Sequence, residues 1–296
     1  MTAPASAHDF KSLPKPDFRV PPLACDSHFH VFGPAKKYPY GTDLRYAPPL
    51  APLDDYLKLA RQLDMKRFVF VQPSAYGKDN SCMLDAMKVM GGRCRGVADI
   101  DEGTPDRELQ KLHDLGVRAF RINTSPIKPY EAGYAASLIG PIKRQAERAK
   151  DLGWHLQFLS PGWLVEELMP TLKKLRVNFV IDHMGLFPPG KGIEQPGFQD
   201  LLNLLREGRC WAKFTAVYRI SKDMPKFRDV VPFAQALIAA APDRIIWGSD
   251  YPHLSFHDKV DSLELFNLLK VWAPDETNRR KILVDNPQAL FGFDES

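Results

Sequence analysis

The sequence predicts an α/β protein folded as a closed (β/α)8 barrel, the TIM-barrel architecture. Three observations carry that prediction: short apolar runs alternate with longer amphipathic ones, eight such pairs follow one another, and they occupy about the 250 residues such a barrel needs. The competing architecture, an open doubly wound sheet, would offer a glycine-rich turn after its first strand if it bound a dinucleotide. Here the first strand runs into Val31-Phe32-Gly33-Pro34, which lacks the G-x-G-x-x-G spacing.

Taken in order, residues 1–23 hold five of the 26 prolines and no hydrophobic periodicity, and read as an extended N-terminal arm lying on the barrel or partly disordered. The barrel domain is expected over residues 24–296. Strands are expected at 24–30, 68–72, 94–99, 117–123, 154–159, 178–183, 210–215 and 244–250. Helical patterns fall between and after them: Asp54 to Leu63, Asn80 to Met90, Pro105 to Leu115, a longer one ending near Leu152, Trp163 to Leu175, Phe198 to Glu207, Phe227 to Ala240, and Leu263 to Trp272. Thr104-Pro105 supplies a start signal, and Leu115-Gly116, Leu152-Gly153 and Glu207-Gly208 supply stops.

Composition excludes several functions. The 40 Lys+Arg and 36 Asp+Glu are interleaved rather than gathered into runs, so a nucleic-acid partner is not expected. No apolar stretch approaches the ~18 residues of a membrane span. The opening MTAPASAHDFKSLPKPDF has acidic residues and prolines where a secretory signal needs an apolar core. A cytoplasmic protein without a membrane partner is therefore expected. Cys25, Cys82, Cys94 and Cys210 show no C-x-x-C spacing and read as reduced. Oligomeric state is not legible, although the Pro-rich arm is a segment that could reach a second subunit of a homo-oligomer.

In such a barrel the chemistry sits at the carboxyl ends of the strands. The first strand ends in Asp26-Ser27-His28-Phe29-His30, and side chains two apart share a face, so His28 and His30 both point to the mouth. The sixth ends in Val180-Ile181-Asp182-His183, and the eighth in Trp247-Gly248-Ser249-Asp250. Each motif alone has an ordinary structural reading, as a paired histidine or a helix cap. Their convergence on one mouth is what points to a catalytic set of His28, His30, His183 and Asp250. His253 is a further candidate beside the mouth. His155 at the start of strand five, His113 in a helix and His8 in the arm read as structural.

The D-S-H-F-H, I-D-H-M-G and I-W-G-S-D-Y-P-H segments resemble the amidohydrolase superfamily. From about Ala24 to Phe291 the chain resembles its amidohydrolase 2 branch of lactone hydrolases, which includes enzymes acting on 2-pyrone-4,6-dicarboxylate, sugar-acid lactones and muconolactones. Further matches are Val71-Gln72-Pro73-Ser74 with Gly77 and Asp79-Asn80, Gly116-Val117-Arg118 with Arg121 and Asn123, and Lys213 with Thr215 and Arg219. The resemblance implies hydrolysis of a carboxylated lactone at a site that needs no metal cofactor. His28, His30 and His183 would polarise the carbonyl, and Asp250 would act as general base on water. Tyr46, Ser74, Arg121, Asn123 and Arg219 would contact the substrate. The pyrone lactonase pattern has a second arginine where this chain has Ile127 and Lys128, and a tyrosine where it has Leu159. These departures point to a different, less charged lactone.

Two alternatives share the residues. Three histidines and a carboxylate can also form a mononuclear zinc site on His28, His30, His183 and Asp250, which would suit a zinc-dependent decarboxylase or C–C hydrolase. Against an obligatory metal, strand five ends without a histidine and strand four carries Arg121, whose guanidinium would repel a divalent ion. A non-enzymatic barrel that only binds a small acid is the third reading. The segments 133–138, 187–192 and 218–227 are the expected pocket walls, with Pro188-Pro189 and its glycines equally able to be a passive turn.

Overall fold

The computed structural model describes residues 14–42, 44, 46–124 and 128–294. Eight strands, β1 (Cys25–Phe29), β2 (Arg67–Val71), β3 (Cys94–Ala98), β4 (Val117–Asn123), β5 (His155–Leu159), β6 (Phe179–Ile181), β7 (Cys210–Phe214) and β8 (Ile245–Trp247), pair in parallel in sequence order. Past the end of β8 the seam to β1 is closed by backbone bonds from Asp250 N–H to the His28 carbonyl and from His30 N–H to the Tyr251 carbonyl, each 2.8 Å. The predicted barrel is therefore present, with helices α1 (Leu53–Gln62), α2 (Ser81–Met90), α3 (Asp106–Asp114), α4 (Tyr134–Leu152), α5 (Gly162–Leu172), α6 (Pro196–Arg206), α7 (Val231–Ala240) and α8 (Ser262–Trp272) following the strands.

The alternation of each strand separates two apolar layers. Outward residues such as Phe29, Phe70, Phe120, Phe158, Phe214 and Trp247 are buried under the helices; Phe29 stacks on Tyr56 of α1 with ring centroids 3.6 Å apart. Inward residues Cys25, Val69, Val97, Ala119, Val180, Trp211 and Ile246 fill the lower barrel. The Val, Ile and Phe side chains among them contribute about 1.5–3 kcal/mol each when fully buried.

Sequence periodicity gave no element after Trp272. The structure has α9 (Glu276–Arg280), a π-helical turn (Lys281–Asp285) and α10 (Asn286–Phe291) there. Phe291 and Phe293 join the inner apolar layer, and Arg95 holds them by donating from Nε to the Gly292 carbonyl (3.0 Å) and from its terminal nitrogen to Asp294 (2.9 Å). These elements are short and are placed by tertiary contacts, so no amphipathic period announces them. His155 packs against Phe291 at 5.0 Å, on the side opposite the strand ends, as its position at the start of β5 implies.

Several boundaries differ from those expected, α5 ending at Leu172 rather than Leu175 among them. β6 and β8 are only three residues long, shorter than the expected 178–183 and 244–250, because the chain turns out of the ladder into positive-φ conformations at His183 and Asp250. α7 starts at Val231 rather than Phe227, which is itself left-handed at φ 52°. The described part of the arm lies on the helices: Phe18 meets Phe266 at 4.9 Å, and Asp17 N–H bonds Asn267 at 2.9 Å. Residues 1–13, including His8, lie outside the described residues.

Gly248 is where β8 comes closest to β1. A Cβ there would sit 2.6 Å from the His28 backbone nitrogen and 2.5 Å from its Cβ. Gly248→Ala should therefore open the seam and destabilise the protein by about 1–3 kcal/mol, the usual cost of overpacking. Gly103→Ala, whose added methyl meets nothing within 4 Å, should leave thermal unfolding unchanged; equal midpoints for the two variants would refute the assignment.

Candidate active site

β1 delivers both histidines through an irregularity. Asp26 pairs with Phe68 and Phe29 with Phe70, so β1 advances three residues while β2 advances two. The extra residue lets Asp26 and Phe29 both pack outward while His28 and His30 both turn inward. Asp26 then works from the outer side, accepting from His28 N–H (3.1 Å), Ser249 N–H (2.9 Å) and the Tyr56 hydroxyl (3.0 Å). It ties β1 to β8 and α1. Burial raises its pKa to about 6 despite those donors.

At the mouth, Asp250 Oδ1 lies 3.4 Å from His28 Nε2 and 3.5 Å from His30 Nε2. Its other oxygen accepts from the Tyr218 hydroxyl at 2.6 Å and has Arg219 at 3.7 Å. Burial opposes the charge, yet His30, His183, Arg219 and His28 around it hold the carboxyl well below the usual carboxylate range. Burial keeps His28 well below its ordinary value and takes His183 down to about 4. At neutral pH the structure therefore presents a charged carboxylate among neutral His28 and His183.

Ring orientations are fixed by neighbours. His30 Nδ1 faces the Val71 carbonyl at 2.7 Å, and a carbonyl only accepts, so this nitrogen carries a proton. Nε2 of the same ring is directed at Asp250 Oδ1, 3.5 Å away. His183 bonds through Nδ1 to the Thr215 hydroxyl, and its ring centroid is 5.3 Å from that of His28. His183, Asp250 and His253 hold φ values of 55°, 59° and 59°, which side-chain-bearing residues seldom adopt, a form of strain that clusters at functional sites.

Directly below these groups lies a buried polar set that sequence reading did not assign. Lys213 donates to Gln157 Oε1 (2.9 Å) and pairs with Asp182 Oδ1 (3.3 Å), while Gln157 Nε2 donates to the other Asp182 oxygen (3.1 Å). Lys213, Asp182 and Gln157 are completely buried. Burial depresses the Lys213 pKa and Asp182 opposes the change; burial raises that of Asp182, but Lys213 and His28 hold it far below normal. Lys213 also lies 3.4 Å from His28 Nδ1. The available signal was register: each is a polar residue at an inward position, two residues on from inward His155, Val180 or Trp211.

The expected substrate-contacting residues form a second wall. Tyr46 bonds Ser74 Oγ and accepts from Ala75 N–H, both 3.2 Å. Arg121 is buried, donating to the Gln72 carbonyl at 2.7 Å, and Arg121 and Arg219 both act electrostatically on Tyr46, whose pKa burial raises. The Nε atoms of Arg121 and Arg219 are buried without a hydrogen-bond partner. Asn123 ends β4 half-buried. His253 differs from expectation: both ring nitrogens already face protein groups, Tyr218 OH at 3.4 Å and Ser262 Oγ at 2.6 Å. Leu159 is buried at the end of β5. Lys128 sits over the Tyr134 ring and 3.5 Å from Glu131, and Ile127 lies outside the described residues. The 188–192 segment is an exposed turn closed on itself by Gln195, the passive reading of that loop. All four cysteines are free and buried, and no helix among the described residues is long and apolar enough to cross a membrane.

Among the described residues, His28, His30 and Asp250 form a group that could hold a metal ion, one donor atom from each lying within 4.8 Å of the others. His183 is not in that group. The partnerless buried His28 Nε2 fits such an ion, whereas the ammonium of Lys213 beside His28 works against it.

The buried pair makes a stability prediction. Lys213→Met leaves Asp182 uncompensated and should cost about 3–5 kcal/mol in denaturant unfolding, whereas Lys213→Met with Asp182→Asn should recover much of it. Additive losses in the double variant would show that the two charges do not compensate each other.

A 4-sulfomuconolactone hydrolase from Hydrogenophaga intermedia is 37% identical over 278 residues, covering 93% of this chain and 90% of that one. A 2-pyrone-4,6-dicarboxylate hydrolase from Comamonas testosteroni is 34% identical over 296 residues, covering 95% and 94%. An apo crystal structure from Agrobacterium tumefaciens superposes with a TM-score of 0.85 at 31% identity, covering 95% of this chain and all of that one. The amidohydrolase family model matches residues 25–293, the whole barrel from β1 to the segment that seals its floor, and the chain belongs to the amidohydrolase family.

Proposed function

We propose that this protein is a hydrolase that opens the ring of an anionic lactone by attack of a water activated by Asp250. The observation that carries the reading is the placement of one charged carboxylate oxygen between two imidazole nitrogens, beside a wall with two unpartnered guanidinium nitrogens. Relatives over nearly the full chain are named for the hydrolysis of a sulfomuconolactone and a pyrone dicarboxylate, which supports both the ester-type bond and the anionic substituent.

In this reading water sits against Asp250 Oδ1 beside His30 Nε2, and gives a proton to the carboxylate as its oxygen adds to the carbonyl. His28 supplies the oxyanion donor. An ammonium can only donate, so Lys213 at His28 Nδ1 favours the tautomer with hydrogen on Nε2. His183, set by Thr215, flanks the same carbonyl. As the tetrahedral intermediate collapses, the ring C–O bond breaks and the departing oxygen takes the proton back from Asp250. Arg121, Arg219, Tyr46 and Ser74 hold the anionic substituent, and the apolar Leu159 and the engaged Lys128 leave fewer cations than a dicarboxylate would use. A prearranged oxyanion donor such as His28 is worth about a hundred- to a thousandfold in turnover.

A second reading rests on the three-atom group. A divalent ion held by His28, His30 and Asp250 would polarise the carbonyl and lower the pKa of its water, and it requires the opposite His28 tautomer, with Nδ1–H facing Asp182 at 3.6 Å. That arrangement suits a zinc-dependent decarboxylase or C–C hydrolase equally. The charge on Lys213 favours the reading without a metal.

Asp250→Asn should lower kcat by at least about a hundredfold while retaining substrate binding by calorimetry, and wild-type turnover in that variant overturns the proposal. Because Asp250 is held well below 3.8, kcat/KM should show no acid limb from it above about pH 4; a limb centred near pH 6 would assign the base elsewhere. Metal analysis of the purified protein, with a panel of carboxylated and sulfonated lactones before and after chelation, separates the two readings. Full activity without stoichiometric metal is expected, and activity restored only by zinc would favour the second.

A further inference from the structure

A chain of three hydrogen bonds runs away from Asp250 on the side facing away from His28 and His30. Asp250 Oδ2 receives the Tyr218 hydroxyl at 2.6 Å, the Tyr218 oxygen faces His253 Nδ1 at 3.4 Å, and His253 Nε2 faces Ser262 Oγ at 2.6 Å. Each link has one allowed direction. A carboxylate only accepts, so Tyr218 donates its single hydrogen to it and must accept from Nδ1–H of His253. In a neutral ring Nε2 then accepts from the Ser262 hydroxyl. His253 is neutral at pH 7, its pKa brought down to about 4 chiefly by burial, and Tyr218 is kept protonated by burial and the adjacent Asp250.

The chain ends on a rigid element. Ser262 is the first residue of α8, and the Asp261 carboxylate caps that helix by accepting from Glu264 N–H at 2.9 Å. The backbone reinforces it: His253 N–H bonds the Asp250 carbonyl at 2.8 Å, closing the turn between them. His253, a candidate beside the mouth from its place in the sequence, has neither ring nitrogen left for a ligand.

Resting on the reading of Asp250 as base, we infer that Tyr218, His253 and Ser262 are positioning residues that anchor Asp250 Oδ2 to α8, leaving Oδ1 as the oxygen that meets water. Without the anchor the carboxylate can rotate about its Cβ–Cγ bond and share its charge between two orientations, of which one is productive. The loss therefore falls on the chemical step rather than on binding: Tyr218 meets the substrate wall through Arg219, which sits over its ring at 5.6 Å, a ring that Tyr218→Phe keeps, and His253 and Ser262 stand behind it.

The test measures kcat and KM for hydrolysis of the best lactone of the panel, with thermal midpoints, for Tyr218→Phe, Ser262→Ala and Ser262→Thr in the full chain. Tyr218→Phe should lower kcat roughly 10- to 100-fold, as for loss of a hydrogen bond to a charged group, and Ser262→Ala about 2- to 10-fold, as for a neutral one. KM should stay within about twofold, and Ser262→Thr, which keeps the hydroxyl, should restore kcat. Wild-type kcat in Tyr218→Phe, a loss confined to KM, or a Ser262→Thr variant no better than Ser262→Ala at equal thermal midpoint overturns the inference. An inactive Asp250→Asn alongside a fully active Tyr218→Phe rejects the anchor alone, whereas an active Asp250→Asn rejects the reading beneath it.

Discussion

The seam between β8 and β1 is the constraint on which the site depends. Two backbone hydrogen bonds, Asp250 to His28 and His30 to Tyr251, join the ends of strands that are more than two hundred residues apart in the chain. Gly248 lets the two backbones approach, and Asp26 binds both sides through His28 and Ser249. Because the closing bonds are made by the catalytic candidates themselves, completing the sheet and assembling the site are one event. A barrel also removes the exposed sheet edges that an open arrangement would leave.

Charge is the second organising term. A fully buried lysine and aspartate under the mouth are costly to desolvate, and such pairs add little net stability compared with apolar packing. What the pair provides is orientation. Gln157 bridges Lys213 and Asp182, and Lys213 in turn faces the back of His28, so the proton on that ring is decided by groups that lie beneath the mouth rather than in it. The same logic recurs at His30, fixed by the Val71 carbonyl, and at Asp250, held by Tyr218.

The three-atom group of His28, His30 and Asp250 could hold a cation, and the Lys213 ammonium lies beside His28 and the Arg219 guanidinium beside Asp250. In the wall above stand Arg121 and Arg219, while Leu159 is buried and Lys128 is occupied by Glu131 and Tyr134.

What the sequence determined by itself was periodic or local. The eight strand and helix pairs followed from hydrophobic period, and the expected convergence of His28, His30, His183 and Asp250 followed from the rule that strand ends meet at one mouth. The family followed from motifs spaced along those strands. Tertiary structure decided what depends on contacts between distant segments: the floor formed by Phe291 and Phe293, the buried set of Lys213, Asp182 and Gln157, and the return of His253 onto Tyr218 and Ser262 rather than into the pocket. A polar residue inside an apolar strand looks the same in sequence whether it faces helix or barrel. Only the closed sheet, with the one-residue slip in β1, fixes which way each one points and what it meets there.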